Sequence, residues 1–310
     1  MFATVAPMKS PEPPDLADLL RSWELSLRAE RKSPETVKTY GDGVRAFLRW
    51  ADATDGVEPE LTRANLRAFT TALLDDGAKP ATAVSRHSAV KRFSAWLTEE
   101  GEQPTDALLG MKAPKMDAPI TQPLTTDQLK ALLNACRGTE LRDRRDDAIV
   151  RLMYTTGMRA GEVIALELSD LHATETPPYV VVKRGKGGKG RTVPLAPEVA
   201  QSLDRYRRVR RGHRLAATDA LWLGDRGKGF GYYALHKSLG MRAERAGIEG
   251  FHPHLLRHTM AHRWLERNGS EGGLMAVAGW TRPDMLMRYT RARAEDRARD
   301  EAQRLNLGEL

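Results

Sequence analysis

Tyr179-Val180-Val181-Val182-Lys183-Arg184-Gly185-Lys186-Gly187-Gly188-Lys189-Gly190-Arg191-Thr192-Val193-Pro194-Leu195 is the one stretch of this 310-residue chain that reads as a β-hairpin. A β-branched run, a glycine-rich turn and a second strand-like run succeed one another, as two antiparallel strands require. On both sides of it the apolar residues recur at helical spacing. The fold class is therefore expected to be mainly α with a small β-sheet.

Upstream, the first helix is expected from Asp15 to Ala29, with Leu16, Leu19, Leu20, Trp23 and Leu27 on its buried face. Ser33-Pro34-Glu35 opens a second, with a serine N-cap and proline at the first helical position. Thr62 caps a third carrying Leu66, Phe69, Leu73 and Leu74. Lys79-Pro80-Ala81 opens a fourth carrying Val84, Val90, Phe93, Trp96 and Leu97. Residues 15–110 thus read as a four-helix domain, preceded by a proline-rich flexible leader over 1–14. Pro114, Pro119 and Pro123 mark 111–124 as a linker. A second domain, mostly helical around the hairpin, is expected over 125–290, with an amphipathic tail helix over 291–310.

Lys and Arg number 49 against 41 Asp and Glu, a formal net charge of +8. Residues before the linker are near neutral, so the basic surplus belongs to the second domain and favours a polyanionic partner. The single cysteine, Cys136, forms no intramolecular disulfide, which fits a reducing cytoplasm. No run approaches the roughly 18 apolar residues of a membrane span, and the N-terminus has no targeting pattern.

Thr156-Gly157-Met158-Arg159-Ala160-Gly161-Glu162 reads as a turn opening a helix, with Arg159 and Glu162 on one face. A guanidinium beside unpaired backbone amides suits a phosphate; a surface i,i+3 salt bridge is the plain alternative. His254 and Arg257 also lie three apart, just after Pro253. They admit the same choice between a phosphate-binding pair and ordinary helix-surface residues. His254, His258 and His262 have i,i+4 spacing that could ligate a metal. No cysteine or carboxylate stands at the customary positions, however, and the neighbouring arginines repel a dication. No metal is expected there.

In order, these segments resemble the tyrosine site-specific recombinases, the family of phage integrases and Xer-type resolving enzymes, over about residues 15–300. That family builds its active site from an arginine in T-G-x-R-x-x-E, a lysine in the following hairpin and an H-x-x-R pair. A His or Trp after a glycine and a tyrosine nine residues beyond it complete the set. The match implies catalytic roles for Arg159, Lys186, His254, Arg257, Trp280 and Tyr289. Glu162 is expected to orient Arg159, and His258 to pack under the site. Trp280 stands where many members carry histidine; its indole donates one hydrogen bond but moves no protons. Lys183, Lys186 and Lys189 all lie on or near the hairpin. The family pattern selects Lys186 in the G-K-G turn and leaves Lys189 to touch backbone phosphate.

The resemblance further implies a SAM-like core-binding domain joined to an α+β catalytic domain as a C-shaped clamp. Its partners would be double-stranded DNA with a specific core site and, in the synaptic complex, a homotetramer. Tyr289 would form a 3′-phosphotyrosine without metal, ATP or other cofactor, and strands would exchange through a Holliday junction. A directionality factor is left unspecified. Arg86, His87, Lys91 and Arg92 are candidate DNA contacts in the first domain. The run Arg205–Arg214 is either a second track or a solvated helix face. The tail packs on a neighbouring protomer or on its own domain. Two alternatives stay open: a type IB topoisomerase that relaxes one duplex, and a non-catalytic DNA-binding regulator on the same fold.

Overall fold

The computed structural model describes residues 15–114, 122–183 and 190–282, together with Leu286 and Gln303. Lys186, Lys189 and Tyr289, the leader 1–14 and all of the tail 291–310 but Gln303 lie outside the described residues. Two compact units divide between residues 118 and 119.

In the first unit, α1 (Leu16–Ala29), α2 (Pro34–Asp52), α3 (Arg63–Asp75) and α4 (Pro80–Glu99) follow the expected order. Three begin at side-chain caps: Asp15, Ser33 and Thr62 accept from the amides of Ala17, Thr36 and Asn65. Lys79 offers no such cap, and α4 starts instead on Pro80, whose missing N–H needs no partner. The helices close over an aromatic core. Phe47 meets Phe69 edge-on at 5.5 Å, and Trp23 lies 5.2 Å from Phe93. Burying each phenyl contributes about 1.5–3 kcal/mol, so these rings dominate the unit's cohesion. The α2–α4 crossing is tight. A Cβ on Gly43 would stand 2.6 Å from that of Ala89, so only glycine lets the two backbones approach this closely.

The second unit is built on α6 (Leu141–Thr156), a helix packed on α8 (Pro197–Arg210) and α10 (His254–Glu266). Around it stand α5 (Thr126–Ala135), α7 (Ala160–Ile164), α9 (Tyr232–Arg245) and α11 (Glu271–Ala278). Thr125 and Gln128 form a capping box at the start of α5, as their spacing suggests. The hairpin strands are β2 (Tyr179–Val182) and β3 (Arg191–Pro194), paired antiparallel with Val180 opposite Val193. A third strand, β1 (Leu171–His172), completes the order β1-β2-β3. Two residues are too few to show a period, so β1 was not legible in the sequence.

Both described ends of the expected linker are anchored. The Met111 carbonyl accepts from Lys91, and the amide of Leu124 donates to Thr259 Oγ1 at 2.9 Å.

An ionic network also holds the second unit together. Asp146, fully buried, accepts from Arg145 Nε at 3.0 Å, Arg242 Nε at 2.9 Å and Ser238 Oγ at 2.8 Å. Removing one partner from such a cluster strands the others and typically costs about 3–5 kcal/mol. The basic run on α8 is divided by its helix. Arg210 is buried and donates to the carbonyls of Ala216, Thr218, Ala220 and Leu221, while Arg205 and Arg208 are exposed.

Candidate active site

Gly157 ends α6 in the left-handed conformation at φ 64°, and a Cβ there would stand 2.0 Å from Met260 Cε. The positive φ is what calls for glycine; the methionine methyl could shift aside. The turn it makes buries Met158 and sets Arg159 as the N-cap of α7. The Arg159 amide donates to Glu162 Oε2 at 2.9 Å, and its Nη1 to Oε1 at 3.2 Å. The Arg159 side chain stays 24% exposed, whereas that of Glu162 is only 5% exposed. The i,i+3 pair is therefore more than a surface salt bridge: a buried carboxylate grips a reachable guanidinium.

Glu162 also holds an arginine that sequence reasoning missed. Arg191 on β3 donates Nη1 to Oε1 at 3.0 Å and Nη2 to Oε2 at 2.9 Å, and its Nε to the Val277 carbonyl at 3.0 Å. Burial alone would raise the Glu162 carboxyl, but the bonds from Arg191 and Arg159 outweigh it and hold the group below its usual range. The signal for Arg191 was available. It shares the inward face of β3 with the buried Val193, two residues on, where a lone arginine needs a partner.

Arg257 is 1% exposed, donates to the Gly157 carbonyl, and lies 5.2 Å from the Trp280 ring centroid. Trp280 itself is buried, delivered by the left-handed Gly279 that ends α11. At the start of α10 His254 is exposed, its ring set edge-on to His258 at 4.8 Å. Arg159, Glu162, Arg257, Trp280, His254 and His258 thus form one connected region. Among the described residues no group of three or more His, Cys, Asp or Glu is placed to hold a metal.

Burial first, then His254, His252, His262 and Arg257, push the His258 imidazole down to about 4. Unfolded, it would titrate near 6.5. As pH falls between those values the unfolded chain binds a proton that the folded chain refuses, so the folded state loses stability. Above about 6.5 the contribution is fully present. Replacing His258 with Gln is expected to flatten the decline between about pH 6.5 and 4, by roughly 1–2 kcal/mol after solvent screening. Urea melts at several pH values check this; an unchanged slope would discount the buried neutral imidazole.

Lys183 is committed elsewhere, with Nζ 2.7 Å from Glu167 Oε2 and 2.8 Å from Asp170 Oδ1. Lys186, Lys189 and Tyr289 fall outside the described residues.

In the first unit Arg92 is exposed against the Tyr40 ring and Arg86 is half-buried. His87 differs from expectation. It is 1% exposed, and its Nδ1 lies 3.1 Å from Thr70 Oγ1, so it packs inside the first unit. Its position in the stripe Ala83, His87, Val90, Ser94 and Leu97 explains the difference, because all five face inward on α4. Lys91 is likewise occupied by the Met111 carbonyl.

Residues 122–296 match the phage integrase family, and residues 20–101 match the phage integrase N-terminal SAM-like domain. Tyrosine recombinase XerC of Chromobacterium violaceum is 30% identical over 276 residues, 88% of this chain and 89% of that protein. XerC of Corynebacterium efficiens is 32% identical over 237 residues, covering 76% of this chain and 74% of its own length. Among solved structures, the post-cleavage complex of the XerH recombinase with palindromic difH superposes with a TM-score of 0.71 at 18% identity, covering 86% of this chain and 78% of that one. The Tn1549 transposon integrase with circular intermediate DNA gives a TM-score of 0.73 at 16% identity, covering 92% and 99%. At these identities the solved structures show a shared fold.

Proposed function

The chain belongs to the phage integrase family of tyrosine recombinases, and from that premise we propose that it carries out site-specific recombination between DNA core sites with Tyr289 as nucleophile. The observation that carries this reading is the preassembled cluster in which Glu162 fixes Arg159, and Gly157 and Trp280 fix Arg257.

In this reaction Tyr289 Oη attacks the scissile phosphorus and the bond to the 5′-oxygen breaks. The strand is held as a 3′-phosphotyrosine, and Lys186 gives its proton to the leaving 5′-oxygen. Lys183 is the weaker candidate for that acid, since two carboxylates already engage it. Arg159 and Arg257 neutralise the charge that develops on the non-bridging oxygens, and they are oriented before DNA arrives. His254, exposed beside them, hydrogen-bonds the phosphate or takes the tyrosine proton; Trp280 buttresses Arg257. A 5′-hydroxyl from a second strand reverses the chemistry, so the ester retains the bond energy and no ATP is needed. The same chemistry runs without a metal.

Arg86 and Arg92 of the first unit and the site of the second would each contact double-stranded DNA at a core site. Four copies would exchange strands through a Holliday junction, for which the λ integrase tetramer solved on such a junction supplies a precedent. The outcome is integration or Xer-like resolution, and the compartment is the cytoplasm. A type IB topoisomerase activity is the second reading, because the same arginines and tyrosine would serve it.

Selection from random duplex DNA, followed by a plasmid carrying two copies of the recovered site, separates the two. Deletion or inversion between the sites is expected, with little relaxation of a plasmid that lacks them. Relaxation independent of the site would overturn recombination as the function.

A further inference from the structure

Arg191 joins two parts of the site that the rest of the chain brings in from different elements. Its guanidinium faces Glu162 as a parallel fork, Nη1 to Oε1 at 3.0 Å and Nη2 to Oε2 at 2.9 Å, while Nε donates to the Val277 carbonyl at 3.0 Å. All three nitrogens are committed. Two of them hold α7, where Arg159 begins, and one holds α11 just before the chain turns at Gly279 into Trp280. The Arg191 side chain is 14% exposed and that of Glu162 5%. A forked guanidinium–carboxylate contact shielded in this way fixes geometry more firmly than a surface pair.

The fit leaves no slack on the other side. A Cβ on Gly279 would lie 2.8 Å from Arg191 Nη1 and 2.9 Å from Cζ, and Gly279 already needs its φ of 64°. The backbone therefore passes directly over the guanidinium. Glu162 Oε1 accepts from both Arg159 and Arg191. Arg159 holds the carboxylate from within the same turn, its amide on Oε2 and its Nη1 on Oε1. Arg191, fixed in the sheet, gives the carboxylate a direction.

We propose that Arg191 is a positioning residue for strand cleavage: through Glu162 it aims Arg159, and through the Val277 carbonyl it sets the turn that brings Trp280 against Arg257. This rests on the recombinase reading of the site. A displacement of about 1 Å in a reacting group can cost on the order of 10²-fold in rate, which sets the scale of the expected effect.

Single-turnover adduct formation on a nicked site at saturating DNA, with affinity and thermal stability measured alongside, tests the role. R191M is expected to lower the saturating rate by about 10²-fold, while the Kd for the DNA changes by less than about threefold. R191K keeps a charge facing Glu162 but cannot hold two oxygens and a carbonyl in one plane, so it should fall between R191M and wild type. In an E162Q background R191M should add much less than it does alone, because one shared network is already broken. A saturating rate for R191M within about threefold of wild type overturns the role. So does a loss that multiplies in full onto E162Q, or one confined to affinity or thermal stability. Wild type and Y289F serve as controls that separate the two claims. If wild type forms no adduct, the recombinase reading itself fails; if wild type and R191M react alike, only the role of Arg191 fails.

Discussion

Replacing Tyr289 with phenylalanine is expected to abolish the covalent protein–DNA adduct that the wild-type chain is expected to form on a nicked suicide substrate. Only the phenolic oxygen is lost, so the DNA should still bind with an affinity near wild type. Removing a nucleophile outright costs far more than removing one stabilising contact, on the order of 10⁴-fold or greater. Six other tyrosines could in principle substitute, since the chain has seven. Tyr206 is disqualified by its surroundings: it is fully buried, donates to the Leu221 carbonyl at 3.1 Å and accepts from the Leu223 amide at 2.8 Å. Burial pushes its phenol up to about 12, away from the ionised form an attack requires. Tyr232 and Tyr233 are exposed and remain reachable. Peptide mapping of the wild-type adduct therefore matters as much as the loss in Y289F. An adduct that persists in Y289F would move the nucleophile to another tyrosine and sink the assignment.

The second large effect is expected at Arg257. R257K keeps the charge but loses the planar fork, and with it the simultaneous contact to the Gly157 carbonyl and the stacking against Trp280. Removing one preorganised donor from a site of developing charge costs about 10²–10³-fold in rate. The loss should appear in the cleavage rate at saturating DNA, because the contact strengthens as charge builds on the phosphate oxygens. A rapid-quench time course with R257K reads it directly. A rate within about threefold of wild type would remove Arg257 from the phosphate clamp, leaving it a packing residue beneath Trp280.

Helices whose signals are local were legible in the sequence. Ser33 and Thr62 cap at the residues their sequences mark, and Pro80 opens α4, because capping depends on three or four consecutive positions. The hairpin was legible because alternation and a glycine turn are likewise short-range. β1 was not, since two residues carry no period. His87 shows how a local reading fails: Arg86, Lys91 and Arg92 around it suggested a DNA-facing group. The phase of α4 decided otherwise, turning His87 inward with Val90 and Phe93.

Buried polar networks follow the same logic at longer range. Asp146 meets Arg242 across 96 residues, and Arg191 meets Glu162 across 29. A charge on an inward face announces that a partner must exist, because burying it alone is prohibitive. Which partner answers is set only when the elements pack.

The sequence by itself determined that this chain is mainly helical in two units with a small sheet, and which side chains its family uses for chemistry. Those properties follow from spacing and from residue type. Only the tertiary structure decided that Arg257 is held by Gly157 and Trp280, and that Arg191 joins β3 to both α7 and α11 through Glu162 and the Val277 carbonyl. Each of those contacts joins residues far apart in the chain. Their geometry exists only after the core has excluded water and fixed the distances between elements.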